Sequence, residues 1–486
     1  MSMDHKTIDT QALQTLVHQK WDREITPALV EYIKIPAKSP AFDAQWAEHG
    51  YIDRVVHDAV AWVKAQQIQG LQIEVVRLSK PDGSPRTPVI YFEVAAYQSA
   101  ATQTVLMYGH LDKQPEFSGW SAGLGPWLPK IVDDKLYGRG GADDGYAIYA
   151  SATIVKVLQQ LGASHPRVVG VIETCEESGS TDLPAYLDAL KERMGDVGMV
   201  VCLDSGAGNY DQLWMTNSLR GMAAGVLRVE VLTQGIHSGD ASGVVPSSMR
   251  VMRQLLDRLE DSQTGQLKPA VFQCEIPAKR MQEARAAARI LGEGMLKRYP
   301  WAQGADGSPV HPVTTDLVQA LLNRTWGATL SVTGADGLPA LGNAGNVLRP
   351  HTALKLSLRL PPVVNAQDAV RQVKTLLEEN TPYNAKVTFA PELPANGWNL
   401  PDYQSWLDQA LQQTSQAHYG APCAFIGQGG TIPLINMLQT NFPAAQMLVC
   451  GVLGPNSNAH GPDEFLHLPY ARKLTASVAQ VIAMHP

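Results

Sequence analysis

Residues 167–178 read RVVGVIETCEES, an almost wholly apolar run of strand length that ends on two adjacent glutamates, Glu176 and Glu177. A run apolar on both faces suits a strand covered by helices on either side. Four similar runs flank it in the sequence: IEVVRL (73–78), PVIYFEVAA (88–96), TVLMYGH (104–110) and GMVVCLD (198–204). Helical patterns near 52–68, 145–161 and 181–193 alternate with them. The alternation predicts a layered α/β domain with a mainly parallel sheet. Three of these runs end on or just before a metal-type ligand, and open α/β sheets build their sites beyond the carboxyl ends of strands.

Five such ligands lie along the chain: His110 in GHLD, Asp143 in GRGGADDG, Glu177 in ETCEES, Asp204 in VVCLDSG and His460 in NAHGPDE. Taken singly, each has a plainer reading. Adjacent carboxylates at a turn are usually solvated, and a histidine in a Gly/Asn/Pro-rich loop is usually surface. Together, two imidazoles, three carboxylates and the spare carboxylate Glu176 are the inventory of a two-metal hydrolase. Zinc accepts this N/O mixture, and manganese or cobalt suits it too. Two ions sharing one carboxylate, expected at about 3.5–4 Å, hold a bridging water and polarise a carbonyl. One glutamate of the 176–177 pair then binds metal while the other serves as general base. Asp112, two residues after His110, offers the acceptor that a metal-bound imidazole needs at its other nitrogen.

With 486 residues, the chain exceeds one ordinary core. From Leu219 the texture changes to GMAAGVLRVEVLT, helices at 246–262, 279–298 and 314–325, a strand TALKLSLRL, a helix at 366–380 and a strand AKVTF. This predicts an inserted smaller α+β domain, ferredoxin-like, with an added helical stretch. After Pro394 the α/β texture resumes and carries His460. The expected division is 1–218 and 395–486 for the catalytic domain, with 219–394 as an inserted lid and dimerisation domain. A net charge of −7 leaves no footprint for nucleic acid or an acidic membrane. No apolar stretch is long enough to span a bilayer, and the polar start MSMDHKTIDTQ lacks a signal-peptide core. Five cysteines, mostly inside apolar runs, read as reduced thiols of a cytoplasmic protein.

The motifs GHLD, YGRGGADD, ETCEESGS, LDSG, GIHSGD, GGTIP and AHGPDEF occur in an order that resembles the co-catalytic zinc metallopeptidase family of carnosinase-like dipeptidases, tripeptide aminopeptidase, aminoacylase and glutamate carboxypeptidase. The resemblance implies two divalent ions, with His110 and Asp204 on one, Glu177 and His460 on the other, and Asp143 bridging. It implies Glu176 as general base, Asp112 as the orienter of His110, and a cis peptide after Asp143. It further implies a homodimer in which His237 reaches the partner's site, and a substrate carboxylate received by Arg359, Gly430 and Thr431, with Asn346 as a weaker contact. Asp204, rather than a glutamate, resembles the dipeptidases and aminopeptidases. An N-acyl-amino-acid deacylase and a non-catalytic binding protein on the same scaffold remain as alternatives. The chain departs from the family pattern at Gly145-Tyr146, where Lys-Gly is usual, and at Gln428 and Thr431.

Overall fold

The strand Thr104–His110 is buried along its whole length and lies near the centre of a six-stranded sheet. In the computed structural model, which describes residues 8–486, the strand order is Leu71–Val76, Val89–Val94, Arg167–Glu173, Thr104–His110, Val197–Cys202, Gln446–Val449. The last four run parallel, and the first two close one edge antiparallel. The chain leaves Thr104–His110, adds Arg167–Glu173 on one side and then Val197–Cys202 on the other. That reversal makes the carboxyl end of Thr104–His110 a topological switch point, where such sheets open a crevice.

Helices cover both faces because both faces are apolar. Tyr146–Gln160 is buried over most of its length and packs against the C-terminal helix Leu468–Ala483. Gly109 explains how closely this helix approaches the sheet: a Cβ there would meet the Ala147 methyl and Asp144 Oδ2. The N-terminal helices Thr10–Lys20 and Thr26–Ile33, not foreseen from the sequence, join this layer.

Residues 221–391 contain a four-stranded antiparallel sheet in the order Thr329–Asp336, His351–Leu360, Gly221–Glu230, Lys386–Pro391. With helices Ser248–Leu259 and Ala366–Glu378 on one face, the chain order is β-α-β-β-α-β, the ferredoxin-like arrangement. Leu354, Leu356, Leu358 and Leu360 alternate into its core. The helices Ala278–Leu291 and Leu317–Thr325 pack elsewhere. Their alanines and leucines cover Trp214, Ala424 and Ile426 of a separate three-stranded sheet. The sequence did not reveal that sheet, because its strands are short and far apart.

All five cysteines are unpaired, four of them buried. No helix among the described residues is long and apolar enough to cross a membrane.

A buried histidine ties three helices together. His418 on Ser405–Tyr419 lies 2.9 Å from Gln14 Nε2 through Nδ1 and 2.7 Å from Gln480 Oε1 through Nε2. The neutral ring satisfies both contacts, with Nε2–H donating and Nδ1 accepting. Burial holds its pKa down to about 4. The unfolded value is about 6.5, so the His418 contribution is complete above pH 6.5 and is lost as pH falls toward 4. The expected slope is about 1.4 kcal/mol per pH unit over that window. Chemical denaturation at stepped pH should show a shallower acid loss in His418→Gln than in the parent; equal slopes would contradict the assignment.

Candidate metal centre

Each candidate ligand sits where a strand or a glycine-rich turn delivers it. His110 is the last residue of its strand. Asp204 lies two residues beyond Val197–Cys202. Glu176 and Glu177 occupy a single tight turn beyond Arg167–Glu173. Asp143 follows Gly140, whose φ of +83° and contact with the Lys113 stem leave no room for a side chain. His460 lies in a loop rich in left-handed residues, itself at φ 64°. The Asp143–Asp144 peptide is cis.

The five side chains form two groups that share Asp143. Ligand atoms of His110, Asp143 and Asp204 lie within 4.8 Å of one another, as do those of Asp143, Glu177 and His460. His110 Nε2 is 3.4 Å from Asp143 Oδ1 and 3.8 Å from Asp204 Oδ2. His460 Nε2 is 3.0 Å from Asp143 Oδ2 and 3.3 Å from Glu177 Oε2. The two oxygens of Asp143 thus face two different imidazoles. Glu176 Oε2 stands 4.0 Å from His110 Nε2.

The electrostatics call for added positive charge. Burial pushes Glu176 and Glu177 well above the usual carboxylate range, with Asp204 adding to the first and Asp143 to the second. Burial also raises Asp204 to about 7, against the pull of His110. Asp143 goes the other way: burial works to raise it, but the imidazoles of His110 and His460 outweigh burial and hold it low. His110 Nε2 is buried with no hydrogen-bond partner. A crowd of carboxylates around an unpartnered imidazole nitrogen fits divalent cations.

Asp112 does more than the sequence suggested. Its backbone carbonyl is 3.1 Å from His110 Nδ1, nearer than its carboxylate at 3.5 Å. The carboxylate instead accepts from the Glu176 and Glu177 amides at 3.1 and 3.0 Å. One residue therefore orients the imidazole and shapes the glutamate turn.

Other positioning residues were overlooked in the sequence. Arg139 and Glu464 form a buried ion pair, and Glu464 also accepts from the Gly140 amide at 2.8 Å. Arg139 donates to Gly461 O at 2.9 Å. This pair ties the His460 loop to the turn bearing Asp143. Gln114 Nε2 donates to Glu177 Oε2 at 2.6 Å. Lys113 is buried and donates to the carbonyls of Tyr32 and Ile35 at the end of Thr26–Ile33. Charged residues inside otherwise Gly-rich or apolar motifs were the available signal.

The remaining candidates are in neither ligand group. Arg359 Nη1 donates to Thr431 Oγ1 at 2.9 Å, so Arg359 and Thr431 meet, with Gly430 the residue before Thr431. His237 is exposed, and its ladder partner is Val347. The Asn346 carbonyl accepts from the Ser238 amide at 2.9 Å. His237 and Asn346 thus stand together, at a two-stranded ladder separate from the four-stranded sheet.

Fold and donor set are those of a metal-dependent α/β enzyme with its site at the sheet's switch point. The chain belongs to peptidase family M20/M25/M40, whose model matches residues 106–484. It is 27% identical over 369 residues to the human Beta-Ala-His dipeptidase, covering 74% of this chain and 70% of that protein. It is 26% identical over 415 residues to the cysteinylglycine-S-conjugate dipeptidase of Corynebacterium striatum, covering 84% and 85%. The structure of the Saccharomyces cerevisiae di-peptidase Dug1p superposes with a TM-score of 0.76 at 20% identity, over 99% of each chain.

Proposed function

We propose that the protein is a metal-dependent dipeptidase that hydrolyses the amide bond of dipeptides or short peptides with a free carboxylate. The observation that carries this reading is Asp143, whose two oxygens face His110 and His460 at 3.4 and 3.0 Å. His110 and Asp204 would hold one ion, Glu177 and His460 the other, and Asp143 both. When bound, the ions, zinc by preference, would supply a Lewis acid that polarises the scissile carbonyl and acidifies the attacking water. Glu176 takes the proton of that water and passes it to the leaving amine. Arg359 and Thr431, already joined by a hydrogen bond, receive the substrate carboxylate with the Gly430 backbone, and Asn346 makes a lesser contact. Asp204 favours this reading over the deacylase one.

The test is a panel of dipeptides and N-acyl amino acids assayed with zinc, manganese and cobalt. Dipeptide turnover that vanishes on chelation and returns with metal is expected. Turnover of N-acyl amino acids alone would shift the reading to a deacylase, and no turnover by a metal-loaded protein would favour the binding-protein reading.

In the same reading, residues 219–394 act as a lid that carries the dimer contact, and His237 stabilises the oxyanion in the partner's site. Exposed apolar side chains at His237 support this: Ile236 beside it and Val347 across the ladder. The strand Thr329–Asp336 is also an unpaired edge of its sheet. Mixing inactive Glu176→Ala with inactive His237→Ala subunits should restore activity, because each heterodimer holds one site with both defects and one with neither. Random exchange would return up to about a quarter of the parent activity. A monomer in solution, or exchange without recovery, would rule out the trans role.

A further inference from the structure

Three guanidinium side chains gather around the turn Gly429–Thr431. Arg359 lies directly across the ladder from Thr329, so the two side chains share a sheet face. On that face Arg359 reaches Thr431, while Arg220 Nη1 donates to Thr329 Oγ1 at 3.2 Å. Arg220 Nε donates to Gly429 O at 3.1 Å. A Cβ on Gly429 would stand 3.3 Å from both Arg220 Nη2 and Arg324 Cγ. Arg324 therefore closes the group from the helix Leu317–Thr325.

These arginines meet neutral oxygens. Arg220 and Arg359 donate to the carbonyls of Asn323, Gly327 and Gly429 and to the hydroxyls of Thr329 and Thr431. Arg324 Nε is buried without a partner. Burial, then the charges of Arg359 and Arg324, hold Arg220 down to about 10. A helix C-terminus accounts for one arginine at position 324, but not for three crowded guanidiniums. Buried charge left unpaired is costly, which leaves the group short of an anion. Arg220 and Arg324 also line a cavity of about 1030 Å³ with Thr329, Tyr299, Gln319 and a carboxylate, Glu260.

We propose that Arg220 and Arg324 form a second anion-recognition point beside the Arg359–Thr431 site, so that the protein selects substrates whose C-terminal residue bears an acidic side chain. The proposal rests on the dipeptidase reading. Aspartate and glutamate carry their second carboxylate within a side chain's reach of the first. With the α-carboxylate on Arg359 and Thr431, the side-chain carboxylate meets Arg220 Nη2 and Arg324, and the fork geometry of guanidinium suits it.

The experiment compares Ala-Glu with Ala-Gln, which differ only in that charge. The parent protein is expected to favour Ala-Glu by on the order of ten- to a hundredfold in kcat/KM, mainly through KM. In Arg324→Gln the Glu/Gln ratio should fall toward one. Arg220 braces several backbone carbonyls, so Arg220→Lys, which keeps the charge without the fork, is the variant to use there, and it should lower the ratio by less. Calorimetric binding of both dipeptides to metal-loaded Glu176→Gln reads the pocket without turnover. Loss of hydrolysis in the parent would count against the dipeptidase reading, whereas equal affinities would count against the acidic subsite. A ratio near one in the parent, or one that survives Arg324→Gln, overturns the proposal. Inorganic phosphate titrated alone is the remaining arm. Phosphate binding that depends on Arg324, without a preference for Ala-Glu, would assign the cluster to a free anion instead.

Discussion

Glu176→Gln is expected to keep its metal and lose about 10²–10⁴-fold in kcat, the usual worth of a positioned proton acceptor. The substitution preserves shape and removes only the capacity to take a proton. Glu176 is absent from both ligand groups, although its Oε2 lies 4.0 Å from His110 Nε2. Metal content by elemental analysis should therefore match the parent, and KM should change little beside kcat. Asp143→Ala should behave in the opposite way, losing metal first, since its oxygens serve both groups. Near-parental turnover by fully loaded Glu176→Gln would mean that another group accepts the proton.

Glu464→Ala is expected to destabilise the protein by about 3–5 kcal/mol, because it strands the Arg139 guanidinium in the interior. Arg139 is 1% exposed and Glu464 is fully buried. The loss should appear as a lower denaturation midpoint and as weaker metal retention, since Glu464 also holds the Gly140 amide near Asp143. The double variant Arg139→Met, Glu464→Leu removes both charges and should recover much of the stability. It should not recover metal affinity, because the contacts to Gly140 and Gly461 that join the His460 loop to the Asp143 turn would still be missing. Equal destabilisation in the single and double variants would show that packing, rather than the stranded charge, sets the loss.

The sequence determined the layered α/β class by itself. Runs such as TVLMYGH and RVVGVIE are apolar on both faces, and only a sheet covered on both sides buries them. It also determined the candidate ligand inventory, because strand ends and a glycine-rich turn are local features. The ferredoxin-like block was legible for the same reason, through the alternation of TALKLSLRL and the helix periods around it. Other features were not local. Trp214–Leu219 and Ala424–Gln428 pair across some two hundred intervening residues, and each is too short to announce itself. Tertiary structure alone decided that the two oxygens of Asp143 face different histidines, that Asp112 spends its carboxylate on the Glu176 and Glu177 amides, and that Arg139 finds Glu464. It also decided that Arg220, Arg324 and Arg359 crowd one turn. A sequence fixes which groups can bond and which faces must be buried. Which distant groups then share a low-dielectric space depends on packing, and that is where charge pairs acquire their energies.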